Sequence, residues 1–136
     1  MRTLPGIRGS EHRGGVMIAK VGFTESRHGM SNDQRLQLMT VLESLGDARE
    51  FHHGAAAGAD TEAAVIARSL SYNVIAHPAG ENPLDRNHDI VAEAEILIAA
   101  PKTDQEVLRS GTWATIRYAR KKGIPVVMLS RYAVVE

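Results

Sequence analysis

The 136-residue chain, 43% hydrophobic, is long enough for one core that removes roughly two-thirds of its unfolded surface from water. Its 16 Lys and Arg balance 16 Asp and Glu, and aromatics make up only 4%. Single-stranded nucleic acid, which calls for a basic groove and stacking platforms, is therefore an unfavoured partner. The absence of cysteine removes disulfides, thiolate nucleophiles and cysteine zinc sites. No apolar run reaches the roughly 18 residues of a membrane span, and the first residues lack a signal-peptide core, so a cytoplasmic protein with no membrane partner is expected.

Residues 1–15 mix glycine and charges of both signs without an apolar period. They read as a flexible arm before a single domain over 16–136, with Met17 an alternative start. The run Val16–Val21 predicts a buried strand, followed by a polar loop from Gly22 to Met30. Ser31 then caps a helix, with Gln34 completing a capping box and Leu36, Met39, Leu42 and Leu45 forming an apolar stripe that ends at Gly46. A second strand over Glu50–His53 enters a turn of small residues, and Asp60–Leu70 has helical spacing. A third strand is expected over Asn73–His77, a loop over Pro78–Pro83, a short helix over Leu84–Ala94 and a fourth strand over Glu95–Ala99. After Pro101 and the loop Lys102–Ser110, Trp113, Ile116 and Ala119 or Arg120 follow helical spacing up to Gly123, and Ile124–Leu129 is the fifth strand.

Strict strand–helix alternation implies right-handed crossovers and an α/β, doubly wound, Rossmann-like open parallel sheet of about five strands with helices on both faces. Ligands of such sheets bind outside the carboxyl ends of the strands, where strand order reverses. The segments Gly22–Gly29, Gly54–Asp60, Pro78–Asn87 and Pro101–Thr112 gather there. Gly22, Thr24, Arg27 and Pro101 are candidate ligand residues by that placement.

Two turns stand out as phosphate cradles. In His53-Gly54-Ala55-Ala56-Ala57-Gly58-Ala59-Asp60 the small residues Gly54, Ala55, Gly58 and Ala59 let backbone approach an anion, or serve close helix-to-sheet packing. Asp60 fits a helix cap, or an acceptor for a ribose hydroxyl. In Arg109-Ser110-Gly111-Thr112-Trp113 a hydroxyl pair joins a glycine at a helix start, which suits phosphate oxygens. Trp113 either packs the helix on the sheet or stacks on a base.

Arg27, Arg86 and Arg109 fall in three loops on one edge, as a diphosphate clamp requires, against the alternative of solvated surface arginines. Asn87 suits a ribose or base contact, or a helix cap. Glu25 is an acid in an exposed loop, either solvated or able to serve an oxocarbenium-like centre at a glycosidic bond. Neither the P-loop nor the Gly-x-Gly-x-x-Gly fingerprint is present. His52 and His53 point to opposite faces of a strand and His77 and His88 stand alone, so no metal is expected, and no resident cofactor.

In order, Gly22-Phe23-Thr24-Glu25-Ser26-Arg27, His52-His53-Gly54 through Gly58-Ala59-Asp60, Arg86-Asn87 with Ile90-Val91, Ile98-Ala99-Ala100-Pro101 and Arg109 through Ala119 resemble the SLOG superfamily, which joins DprA, the LOG phosphoribohydrolases and small Rossmann-like nucleotide-binding proteins. The resemblance spans residues 16–130. It implies binding of a nucleoside monophosphate, NAD or ADP-ribose type ligand at the glycine turns, by a sensor or carrier, and assembly into homodimers or higher homo-oligomers. LOG enzymes carry Pro-Gly-Gly-x-Gly-Thr-x-x-Glu, whose glutamate serves N-glycosidic cleavage. Here the diglycine is missing and Thr115 stands at the glutamate position. The resemblance thus implies the binding half of that site, and a phosphoribohydrolase activity would need Glu25 or another acid.

Overall fold

A computed structural model describes residues 18–46, 50–54, 62–78 and 83–132. Among them the chain forms β1 (Lys20–Glu25), α1 (Asn32–Ser44), β2 (Glu50–His53), α2 (Glu62–Ser69), β3 (Asn73–Ala76), α3 (Pro83–Glu93), β4 (Ile96–Ala100), α4 (Gly111–Lys121) and β5 (Val126–Met128). The strands make one parallel sheet in the order β3-β2-β1-β4-β5. From β1 the chain builds outward to β3, returns to β4 and builds the other way. Because parallel crossovers are right-handed, that reversal places α1 and α2 on one face and α3 and α4 on the other. The doubly wound α/β architecture expected from the sequence is the one observed.

The first face holds the larger core, in which Val21, Phe23, Phe51, Ile96 and Ile98 meet Leu38, Leu42 and Leu45 of α1 and Ala63 and Ala67 of α2. On the second face Leu97 packs with Val91 and Ala119, and Ala99 with Trp113 and Ile116. Every residue of β4 is buried, as a central strand covered on both sides requires.

Two expectations are corrected here. The first strand does not end at Val21 but runs to Glu25, with Gly22, Phe23, Thr24 and Glu25 paired to Leu97, Ile98, Ala99 and Ala100. Gly22 reads as turn punctuation in the sequence, yet it lies inside the strand because α3 passes over it. A Cβ there would stand 2.8 Å from the Ala94 Cβ and 3.2 Å from the Ile90 Cγ2. Glycine in a strand interior commonly marks such a close approach.

The second correction concerns α1. Its buried face is Leu38, Val41, Leu42 and Leu45, while Leu36 is 62% and Met39 38% exposed. The stripe is rotated because a polar residue, Gln34, belongs to the buried face. Its amide donates to the Pro101 carbonyl at 2.8 Å and the Leu129 carbonyl at 3.0 Å, and its oxygen accepts from the Ser31 N–H at 3.0 Å. Satisfied in this way, Gln34 is buried at little cost. The Ser31–Gln34 capping box itself is present as expected.

Candidate functional site

β1 and β4 lie side by side where the strand order reverses, and Ser26 N–H extends their pairing by donating to the Ala100 carbonyl at 3.0 Å. Beyond their carboxyl ends opens a cleft of about 870 Å³, within the range of small-molecule sites. Its walls come from four strand-to-helix junctions. Thr24, Glu25 and Arg27 follow β1, Gly54 follows β2, Arg86 and Asn87 lie on α3, and Arg109 through Trp113 form the start of α4.

The start of α4 is open toward this space. Ser110 is the N-cap, and its hydroxyl accepts from the Trp113 N–H at 3.2 Å. Gly111 is the first helical residue and is exposed, with no atom within 4 Å of where a Cβ would be. The N–H groups of the first helical turn have no intrahelical acceptor and carry the positive end of the helix dipole. Thr115, one turn further, is buried, and its hydroxyl donates back to the Gly111 carbonyl at 2.9 Å.

Arg27, Arg86 and Arg109, expected to converge, all line the cleft. Arg27 and Arg109 are exposed, as is Lys102, which also lines the cleft. Arg86 lies flat against Gly54, where a Cβ would come within 2.7 Å of its Nε. That Nε is buried, with no hydrogen-bond partner among the described residues. The glycine at 54 thus admits a guanidinium. Trp113 is 6% exposed and packs on Ala99 and Ile116, so it is chiefly a core residue with an edge at the cleft. Asn87 lies in the second turn of α3 and does not cap it, since the helix begins at Pro83.

Gly22 and Pro101 do not line the cleft. Gly22 is buried beneath α3, and the Pro101 carbonyl is held by Gln34. Ala55, Gly58, Ala59 and Asp60 lie outside the described residues.

Glu25 closes the strand end of the cleft. Its Oε2 is buried with no hydrogen-bond partner among the described residues. Burial, aided by the nearby Glu62 carboxylate and opposed by Arg35, pushes its pKa up to about 7. The neighbouring Glu62 is instead ion-paired, with Arg35 Nε and Nη2 each 2.6 Å from its Oε2. The neutral Glu25 carboxyl favours the folded state fully below pH 4.5, its ordinary value, and that advantage is lost as pH rises through about 7. Relative to Glu25→Gln, the wild type should therefore lose about 1–3 kcal/mol of stability between pH 5 and 8, a range discounted for partial solvent screening. Urea denaturation of both proteins at the two pH values checks this, and parallel slopes would contradict it.

Glu62 and Lys102 also line the cleft and were not foreseen. Lys102 lies two residues after β4, in the Pro101–Thr112 segment expected at this edge, whereas Glu62 opens α2 nine residues after β2 and had no such signal. The histidine expectation is corrected as well. His77 does not stand alone, since its Nε2 lies 2.8 Å from the His52 Nδ1, whose ring also meets the Glu50 carboxylate at 2.9 Å. Parallel pairing of β2 with β3, continued by the His77 N–H to the His53 carbonyl at 2.7 Å, brings the two rings together. Burial, together with the adjacent His52, holds the His77 pKa below the usual histidine range. His88 stacks on Tyr118 with centroids 3.8 Å apart. Among the described residues no group of three or more His, Asp or Glu could hold a metal ion.

One residue braces the cleft from outside. Arg131 donates from its backbone N–H to Asp104 Oδ1 and from Nη1 to the Gly29 carbonyl, each at 3.0 Å, and its carbonyl accepts from the Ser31 hydroxyl. The loops after β1 and after β4 are thereby tied to each other. No helix among the described residues is long and apolar enough to cross a membrane. Comparison with protein-family models, with curated proteins and with solved structures gives no match to this chain.

Proposed function

We propose that this protein binds a nucleotide or nucleotide-derived ligand, of the nucleoside monophosphate, NAD or ADP-ribose type, in the cleft between the ends of β1 and β4, and that it acts as a sensor or carrier. The observation that carries this proposal is the first turn of α4. Gly111 presents an unobstructed helix N-terminus to a cleft that also receives Arg86, Lys102 and Arg109. Backbone N–H groups, helix dipole and guanidinium groups directed at one space are what a phosphate requires. The resemblance to the SLOG superfamily supports the same ligand class, and with it homo-oligomeric assembly.

A second activity, hydrolysis of the N-glycosidic bond of a nucleoside 5'-monophosphate, is favoured by Glu25 alone. A carboxyl with a pKa of about 7 facing a ligand cleft suits a general acid. Against it, Thr115 occupies the position of the LOG glutamate and is buried with its hydroxyl engaged by Gly111.

A thermal-shift panel of nucleoside monophosphates, NAD and ADP-ribose tests the binding proposal. Stabilisation of about 2.7 kcal/mol is expected once a ligand stands 100-fold above its dissociation constant. No stabilisation by any of them at millimolar concentration would overturn it. Chromatographic detection of free base that disappears in Glu25→Gln would convert the carrier into an enzyme.

A further inference from the structure

Charge is unevenly distributed in the cleft. Its two acids, Glu25 and Glu62, come from the β1 and α2 side together with Arg27, whereas Arg86, Lys102, Arg109 and the start of α4 come from the α3, β4 and α4 side, which contributes no acid to the lining. The basic side supplies every feature an anion needs and leaves the acidic side to contact another part of the ligand. Of the two acids there, Glu62 is already paired with Arg35. Glu25 is the one whose buried oxygen lacks a donor among the described residues. A buried acceptor without a partner is costly, so a ligand that brings a donor to it gains more than one that does not.

We propose that Glu25 is a specificity-determining residue that accepts hydrogen bonds from the ribose hydroxyls of a nucleotide whose phosphate lies on the start of α4, so that the cleft selects ribonucleotides over 2'-deoxyribonucleotides. This rests on the nucleotide-binding proposal above and deepens it. Hydroxyls fit Glu25 better than a cationic group does. Close to neutrality the carboxyl is partly protonated, so it offers both an acceptor and a donor to a hydroxyl pair but only a fraction of a charge to a cation. Thr24 and Ser26 flank it with further hydroxyls, both lining the cleft. In dinucleotide-binding sheets an acid at a strand end holds the ribose by the same chemistry; here the acid ends β1, beside the strand-order reversal.

Isothermal titration of the full chain with the four ribonucleoside 5'-monophosphates, their 2'-deoxy counterparts and inorganic phosphate tests this. The wild type should bind at least one ribonucleotide about tenfold or more tightly than its deoxy partner, the size of effect expected when a hydrogen bond to a charged or buried group is lost. In Glu25→Ala, which removes both acceptor and donor, that ratio should fall to within about twofold while inorganic phosphate binds within about threefold of wild type. Binding of every pair with a ratio near one in the wild type, a measurement that needs no variant, would overturn the assignment of Glu25 and leave the phosphate cleft standing. A ratio unchanged in a folded Glu25→Ala would do the same. Binding that appears only with Mg²⁺ and vanishes with chelator would overturn it by giving Glu25 to a cation. Failure of phosphate and of all eight nucleotides to bind would remove the cleft proposal together with this one.

Discussion

Gly111→Asp is expected to raise the dissociation constant for phosphate-bearing ligands by roughly 100-fold or more, through loss of charge-assisted contacts and added like-charge repulsion, with no loss of stability. The two outcomes separate because of what surrounds the residue. Nothing lies within 4 Å of a Cβ built at Gly111, and the position is the exposed first residue of α4. A carboxylate there sits at the positive end of the helix and should stabilise the fold by about 0.3–1 kcal/mol. The same carboxylate occupies the space proposed for the phosphate. Titration calorimetry and a thermal melt on one preparation read both effects. Undiminished affinity would move the phosphate away from α4.

Gly22→Ala is expected to act on the fold instead, destabilising it by about 1–3 kcal/mol as overpacking does, from a position that does not line the cleft. The added methyl would stand 2.8 Å from the Ala94 Cβ and 3.2 Å from the Ile90 Cγ2, so α3 must shift away from β1. Ala94 lies just past the end of α3, and Ala94→Gly removes the closest atom without costing a residue inside the helix. The double variant should recover most of the stability that Gly22→Ala loses, giving a coupling well above the few tenths of a kcal/mol seen between independent sites. Additive losses in urea denaturation would mean that the contact is not what the glycine accommodates.

The contrast between these glycines shows where sequence is sufficient and where it is not. Ser31 with Gln34, and Ser110 before Gly111, could be located from sequence because a helix cap is decided within four residues of chain. Glu50–His53 was likewise legible from its own letters. Gly22 was not, because whether a glycine turns the chain or admits a helix depends on Ala94 and Ile90, some 70 residues away. The buried face of α1 depended on Gln34 finding carbonyls at Pro101 and Leu129, which no apolar period reveals. The convergence of Arg27, Arg86 and Arg109 was foreseeable from the rule that strand ends share one edge, whereas the pairing of His52 with His77 required the register of β2 on β3.

The ties made by Arg131 to Gly29, Ser31 and Asp104 bear on how a ligand would be received. The loops after β1 and after β4 are the segments that would otherwise have to be ordered around a guest. Tied to each other through one side chain and its backbone, they have already lost part of that freedom on folding. A preorganised receptor of this kind gives up little entropy on association, so its affinity is set by how well the guest's charges match the two sides, and cutting the Arg131 ties would lower affinity without removing any group that touches the ligand.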